Sequence, residues 1–160
     1  MRRNLRQLLA GLLLLATGTL CGCAKSPPPM TEVEGTVTLD GQPLPFALVE
    51  FQPDLAKFGA ELNSSATTDE KGFYRLTCHY NQQPGAAVGK HRVVISDTPT
   101  PEEYRSQEPE VQAKLARYRA GLKNRPIPKT LSRAGTTDLT VEVTADKKTY
   151  DLQLTRAGHQ

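Results

Sequence analysis

The chain contains no tryptophan, and only five tyrosines and four phenylalanines among its 160 residues. Surfaces that stack sugars or single-stranded bases need exposed aromatic platforms, so this poverty weighs against both. Cysteine is scarce, at Cys21, Cys23 and Cys78. Histidine is limited to His79, His91 and His159, which share no metal-ligand spacing. The main apolar run, Leu8 to Leu20, falls short of the roughly 20 residues that a permanent spanning helix requires. The first 22 positions hold Arg2, Arg3 and Arg6 and no acid, and these arginines account for the whole formal charge of +3. From Cys23 onward 17 basic residues face 17 acidic ones. The alkaline balance is therefore no sign of a nucleic-acid partner, and none is expected.

What is present begins with targeting. A basic start followed by a short apolar run reads as a secretory signal. Leu20-Cys21-Gly22-Cys23 closes it with the pattern of a bacterial lipoprotein: a Leu three places before a Cys, and a small residue just before it. Residues 1–22 are read as signal peptide, with cleavage between Gly22 and Cys23 and lipid carried on Cys23. Cys21 suits the peptidase less well, because the bulky Leu20 precedes it. A processed chain keeps one thiol, Cys78, in an apolar alternation that predicts a buried, inert side chain. The expected partner is a membrane, reached through the lipid. Ala24 after the Cys favours the outer over the inner membrane by the enterobacterial sorting pattern.

Residues 23–31 form the lipidated Cys and a Pro-rich tether, in which Pro27-Pro28-Pro29 favours extended polyproline II. Residues 32–156 read as one domain and 157–160 as a frayed tail. Period-two alternation dominates the domain. Its inward rows are Val33, Gly35, Val37, Leu39; Ala47, Val49, Phe51; Tyr74, Leu76, Cys78; His91, Val93, Ile95; Leu139, Val141, Val143; and Tyr150, Leu152, Leu154. Ser64 to Thr68 is a short polar strand candidate. Turns are predicted at Asp40-Gly41, Asp69-Glu70-Lys71-Gly72 and Asp146-Lys147-Lys148, with Gly72 at positive φ. Such short strands between turn signals point to an all-β sandwich. Thr98 to Leu122 breaks the pattern and reads as helix. Thr100 and Glu103 form a candidate capping box around Pro101. Pro109 then restarts the helix, and Gly121 is a candidate C-terminal cap. Val111, Leu115, Tyr118 and Leu122 make its apolar stripe.

Three stretches, Val33 to Phe51, Ala66 to Leu76 and Gly85 to Ser96, resemble the carboxypeptidase regulatory-like, or transthyretin-like, domain. The similarity is closest to small bacterial lipoproteins built around one such domain. The residues that carry it are Gly35, Asp40, Gly41, Pro43, Thr68, Asp69, Gly72, Tyr74, Gly89 and Val93. The tail from Ile127 to Leu154 is similar to the family's closing strands. The resemblance implies a seven- to eight-stranded transthyretin-like or Ig-like sandwich with a helical insertion at about residues 101–122. It implies no chemistry, since the matching positions are turns and core. His91 departs from the family's usual Tyr, and the insertion is longer than the usual loop.

No catalytic constellation emerges. Gly85 to Lys90 is too short for a phosphate loop and leads into a strand. Asp40, Asp69 and Asp146 are single turn carboxylates without a calcium-ligand ladder. The one hydrolase associated with the transthyretin fold needs a Tyr-Arg-Gly-Ser ending, and this chain ends Arg156-Ala157-Gly158-His159-Gln160. The expectation is a non-enzymatic, lipid-anchored cell-envelope module without cofactor or metal, whose partner is an envelope protein or a polysaccharide. A carbohydrate-binding module is the alternative, with Tyr80, Tyr104 or Tyr118 as its platform. A hydrolase is the third reading and requires His79 or His91 to meet a second titratable group in a cleft.

Overall fold

Alternation along the chain becomes alternation of burial. In a computed structural model that describes residues 28–55, 58–156 and 158–159, each predicted apolar row turns its side chains to a common interior. Strand β1 is Met30–Thr31, β2 Glu34–Leu39, β3 Gln42–Pro43 and β4 Ala47–Pro53. Then come β5 Ser64–Thr67, β6 Phe73–Arg75, β7 Thr77–Cys78, β8 Ala86–Ala87 and β9 Gly89–Asp97. The last are β10 Thr140–Val143, β11 Leu152–Thr155 and β12 Gly158–His159. Each of the six predicted rows and the polar Ser64–Thr68 candidate contains a strand, and pieces only two residues long supplement them. Among the described residues the fold is mostly β, with one α-helix. The signal segment, Gly22, Cys23 and Pro27 lie outside the described residues.

One sheet has the order β10-β9-β4-β5-β7 and is antiparallel throughout. The other has the order β12-β11-β2-β3, with β6 also paired to β2. Here β11 runs parallel to β2, with Leu152 opposite Val37 and Leu154 opposite Leu39. Inward residues of both sheets share one apolar cluster that includes Val37, Leu39, Phe51, Tyr74, Ile95 and Leu154. Each such side chain contributes about 1.5–3 kcal/mol relative to exposure.

The positions that carry the family resemblance act as fasteners. The Thr68 hydroxyl donates to Leu44 O and accepts from Ala47 N, at 2.7 and 2.9 Å. Asp69 Oδ1 accepts from the backbone of Lys71 and Phe73, and Gly72 closes that turn at φ +77°. Tyr74 is fully buried, and its hydroxyl donates to Tyr150 O at 2.6 Å. Burial pushes that phenol's pKa up. Gly35 is packed so closely that a Cβ would sit 2.1 Å from Tyr150 O.

Several expectations need correction. The domain begins before Glu32: Met30 and Thr31 pair with Ala87 and Ala86, and Val88 N donates to Pro29 O at 2.8 Å. A proline row can end in a strand once its last carbonyls find donors. Within the predicted tail, Gly158–His159 forms a strand that pairs with Leu154 and Thr155. In the insertion, Glu102–Tyr104 forms a single 3-10 turn and Pro109–Gly121 forms the helix, α1. The capping box is absent: Pro101 itself is the N-cap, without a side-chain bond. Gly121 is the last helical residue and not the cap, because Leu122 takes an extended φ/ψ and ends the helix. Tyr104 and Tyr118 pack against each other at 5.4 Å between ring centroids. Leu115 is the buried residue of α1, and it lies outside the main core cluster.

The topology gives the domain two distinct ends. The chain enters beside Val33, where Leu76 N donates to Val33 O and Gly85 N to Leu76 O. Strand β2 then runs to Leu39 at the opposite end. The insertion leaves β9 at Asp97, opposite Ala47, and returns at Asn124, whose side chain donates to Leu39 O. The insertion is therefore rooted at the end opposite chain entry.

Candidate functional site

The histidines do not converge. His91 is fully buried on β9, with its ring 5.7 Å from that of Phe51. Its Nδ1 lies 3.0 Å from Gly89 O, while Nε2 has no hydrogen-bond partner. Burial lowers its pKa, against the opposing influence of the Gly89 carbonyl and the Glu142 charge. This is a packed ring with one orphaned nitrogen. His79 is exposed at the end of β7, and its Nε2 lies 2.8 Å from Ser65 Oγ. Sequence reasoning missed that contact, which follows from Ser65 pairing with Thr77 across β5 and β7. His159 falls in β12.

Cys78 is a free, buried thiol, as its alternation predicted. The turn aspartates are engaged locally. Asp40 pairs with Arg156 and also accepts from its backbone N–H. Asp69 holds its own turn. The Asp146 carboxyl sits below the ordinary range because of hydrogen bonds from Thr144 and its own backbone. No group of three potential metal ligands occurs among the described residues. Tyr80 is 58% exposed, but Tyr104 and Tyr118 are half-buried against each other, so the three make no common platform.

One concavity lies where the insertion rejoins the sheets. It is a shallow cleft of about 440 Å³ lined by Gln42, Pro43, Pro45, Glu70, Lys123 and Asn124. Asn124 stands at φ +58° and donates from Nδ2 to Leu39 O at 2.8 Å and Gln42 O at 3.1 Å. Its Oδ1 accepts from Arg156 at 3.1 Å. Arg125 follows, paired with Asp97 and donating to Pro45 O at 2.9 Å and Phe46 O at 3.2 Å. Together they latch the end of the insertion onto the β2–β4 connection. No periodicity could have found them; a polar Asn-Arg pair before Pro126 was the only signal. The polar groups of the latch hold backbone or pair with the Arg156 and Asp97 side chains.

At the entry end, Lys148 contacts Glu32 at 2.6 Å and Glu34 at 3.7 Å, while Arg75 reaches Glu34 at 2.9 Å. The Lys148 hydrogen bond lowers the Glu32 pKa. These exposed pairs add little stability, but they surround the point where the chain joins the fold.

No family model, curated protein or solved structure matches the chain.

Proposed function

We propose that this chain is a lipid-anchored cell-envelope protein whose β domain, of the carboxypeptidase regulatory-like (transthyretin-like) type, is a non-enzymatic structural or interaction module. One observation carries the reading. The residues of the family-like pattern, Gly35, Thr68, Asp69, Gly72 and Tyr74, are all consumed in turns and cross-strand ties. A pattern made of fasteners supports a scaffold and leaves recognition to whatever the scaffold displays. The two ends divide the labour: the chain enters at one, and the insertion hangs from the other. Lipid on Cys23 holds the entry end at the membrane, by preference the outer one.

Metabolic labelling with a palmitate analogue, followed by membrane fractionation, tests the anchor. The wild-type chain takes the label and sediments with membranes. Cys23→Ser should remain unprocessed and unlabelled; a variant that still carries lipid would sink the reading.

A further inference from the structure

The insertion and the loop after it carry a charge asymmetry that the neutral domain as a whole conceals. Between Glu110 and Asp138 the chain has no acidic residue and seven basic ones. Arg125 is occupied by Asp97, and Lys123 shares its cleft with Glu70. The other five, Lys114, Arg117, Arg119, Lys129 and Arg133, are exposed and enter none of the ion pairs among the described residues. Arg117 and Arg119 complement the dipole at the C-terminal end of α1, but Lys129 and Arg133 lie beyond the helix and have no such reason to be there.

Lys129 and Arg133 line a cleft of about 450 Å³ with Thr130, Ser132 and Thr136. Within the loop, Ser132 Oγ donates to Lys129 O and Thr136 Oγ1 to Thr130 O, both at 2.9 Å. Those bonds fix the loop's shape and leave the two cations to face whatever enters. Leu131 is buried beneath, and its carbonyl accepts from Ile95 N at 2.9 Å, so the cleft rests on the edge of β9.

We propose that the basic stretch from Lys114 to Arg133 docks an acidic polysaccharide, with the Lys129–Arg133 cleft seating one of its carboxylate or sulfate groups. Three observations select that partner. The cations are spread along a helix and a loop, which fits a chain of repeated charges. No large apolar side chain is exposed among them, since Phe73 and Tyr80 are the exposed large hydrophobics. A protein partner would want an apolar or aromatic centre. The surface also hangs from the end opposite chain entry, which turns it away from a bilayer. The inference deepens the interaction-module reading and takes from it only the direction of the tether.

The test titrates the full chain, in neutral detergent, with polygalacturonate, dextran sulfate, neutral dextran, and detergent micelles with or without anionic phosphatidylglycerol. Both acidic polymers should bind at about 0.01 M salt and release near 1 M, where the Debye length shrinks from ~30 to ~3 Å. Neutral dextran should not bind. The double variant Lys129→Glu/Arg133→Glu should weaken binding about tenfold, on the scale of exposed ion pairs reversed at two sites. Lys90→Glu, near the entry end, should leave binding unchanged. If the reversed variant fails to fold, Lys129→Gln/Arg133→Gln should still give a smaller loss. The proposal is overturned by an absence of polymer binding at low salt, by equal losses in Lys90→Glu, or by a preference for anionic over neutral micelles that exceeds the preference for either acidic polymer over neutral dextran. Because polymer binding does not depend on lipid attached to Cys23, its failure is separable from failure of the Cys23 anchor.

Discussion

Replacing Asn124 with alanine should destabilise the domain by about 3 kcal/mol, an effect large for a half-exposed loop residue. The magnitude follows from the latch. Asn124 Nδ2 donates to Leu39 O and Gln42 O, and two side-chain hydrogen bonds to backbone are worth about 1 kcal/mol each. The residue also sits at φ +58°, where a residue with an ordinary Cβ costs roughly 1 kcal/mol and Asn less. Asn124→Gly removes the same hydrogen bonds but accepts the backbone geometry, so its loss should stay near 1–2 kcal/mol. Urea melts followed by far-ultraviolet circular dichroism read both variants, with the midpoint shifting and the slope unchanged. For a domain of this size the alanine variant should melt about 10 °C lower. Equal losses in the two variants would refute the backbone part of the reasoning. An alanine variant within about 0.5 kcal/mol of wild type would refute the latch altogether.

Three further predictions concern the core. His91 is held neutral by burial, so its folded pKa lies below the unfolded value of about 6.5. Its contribution is therefore complete above that pH and is lost as pH falls from there toward the folded pKa. Denaturant melts at about pH 7.5 and about pH 5.5 should show wild type weakening more than His91→Phe; parallel profiles would remove His91 as the cause. Gly35→Ala should cost about 3 kcal/mol or prevent folding, since its Cβ would meet a backbone carbonyl that cannot swing aside; a near-neutral melt would show that β2 can shift. Cys78 should resist a thiol reagent until the protein is unfolded, and fast labelling of the native chain would contradict its burial.

The parts of the fold legible in the sequence are those that local physics dictates. Phe51, Tyr74 and Ile95 had to face inward because alternation leaves them no other side, and Gly72 had to turn because Asp69 could cap its own loop. Pro109 marked the start of α1, since its missing N–H is harmless only there. What escaped was set by residues far apart in the chain. The parallel pairing of β11 with β2 joins Leu152 to Val37, and nothing within either strand encodes that partner. Asn124 reaches Leu39 across 85 positions, and Ser65 meets His79 only because β5 and β7 are neighbours. Thr100 had the chemistry of a cap but not the geometry, since the turn began one residue later. The charge surface of the insertion was partly visible as a helix-end pattern, and its extension to Lys129 and Arg133 became meaningful once they lined one cleft.

The pairing of β1 with β8 has a mechanical consequence. Any tension on the chain before Pro28 falls first on Met30 and Thr31, which are held by just two residue pairs to Ala87 and Ala86, together with the Pro29 carbonyl. Val33, buried in the core, is the next firm point. Peeling β1 would release about 7 Å of chain, at ~3.3 Å per residue, while the sheets stay intact. A pull on this end of the domain therefore meets a two-residue sheet before it meets the core.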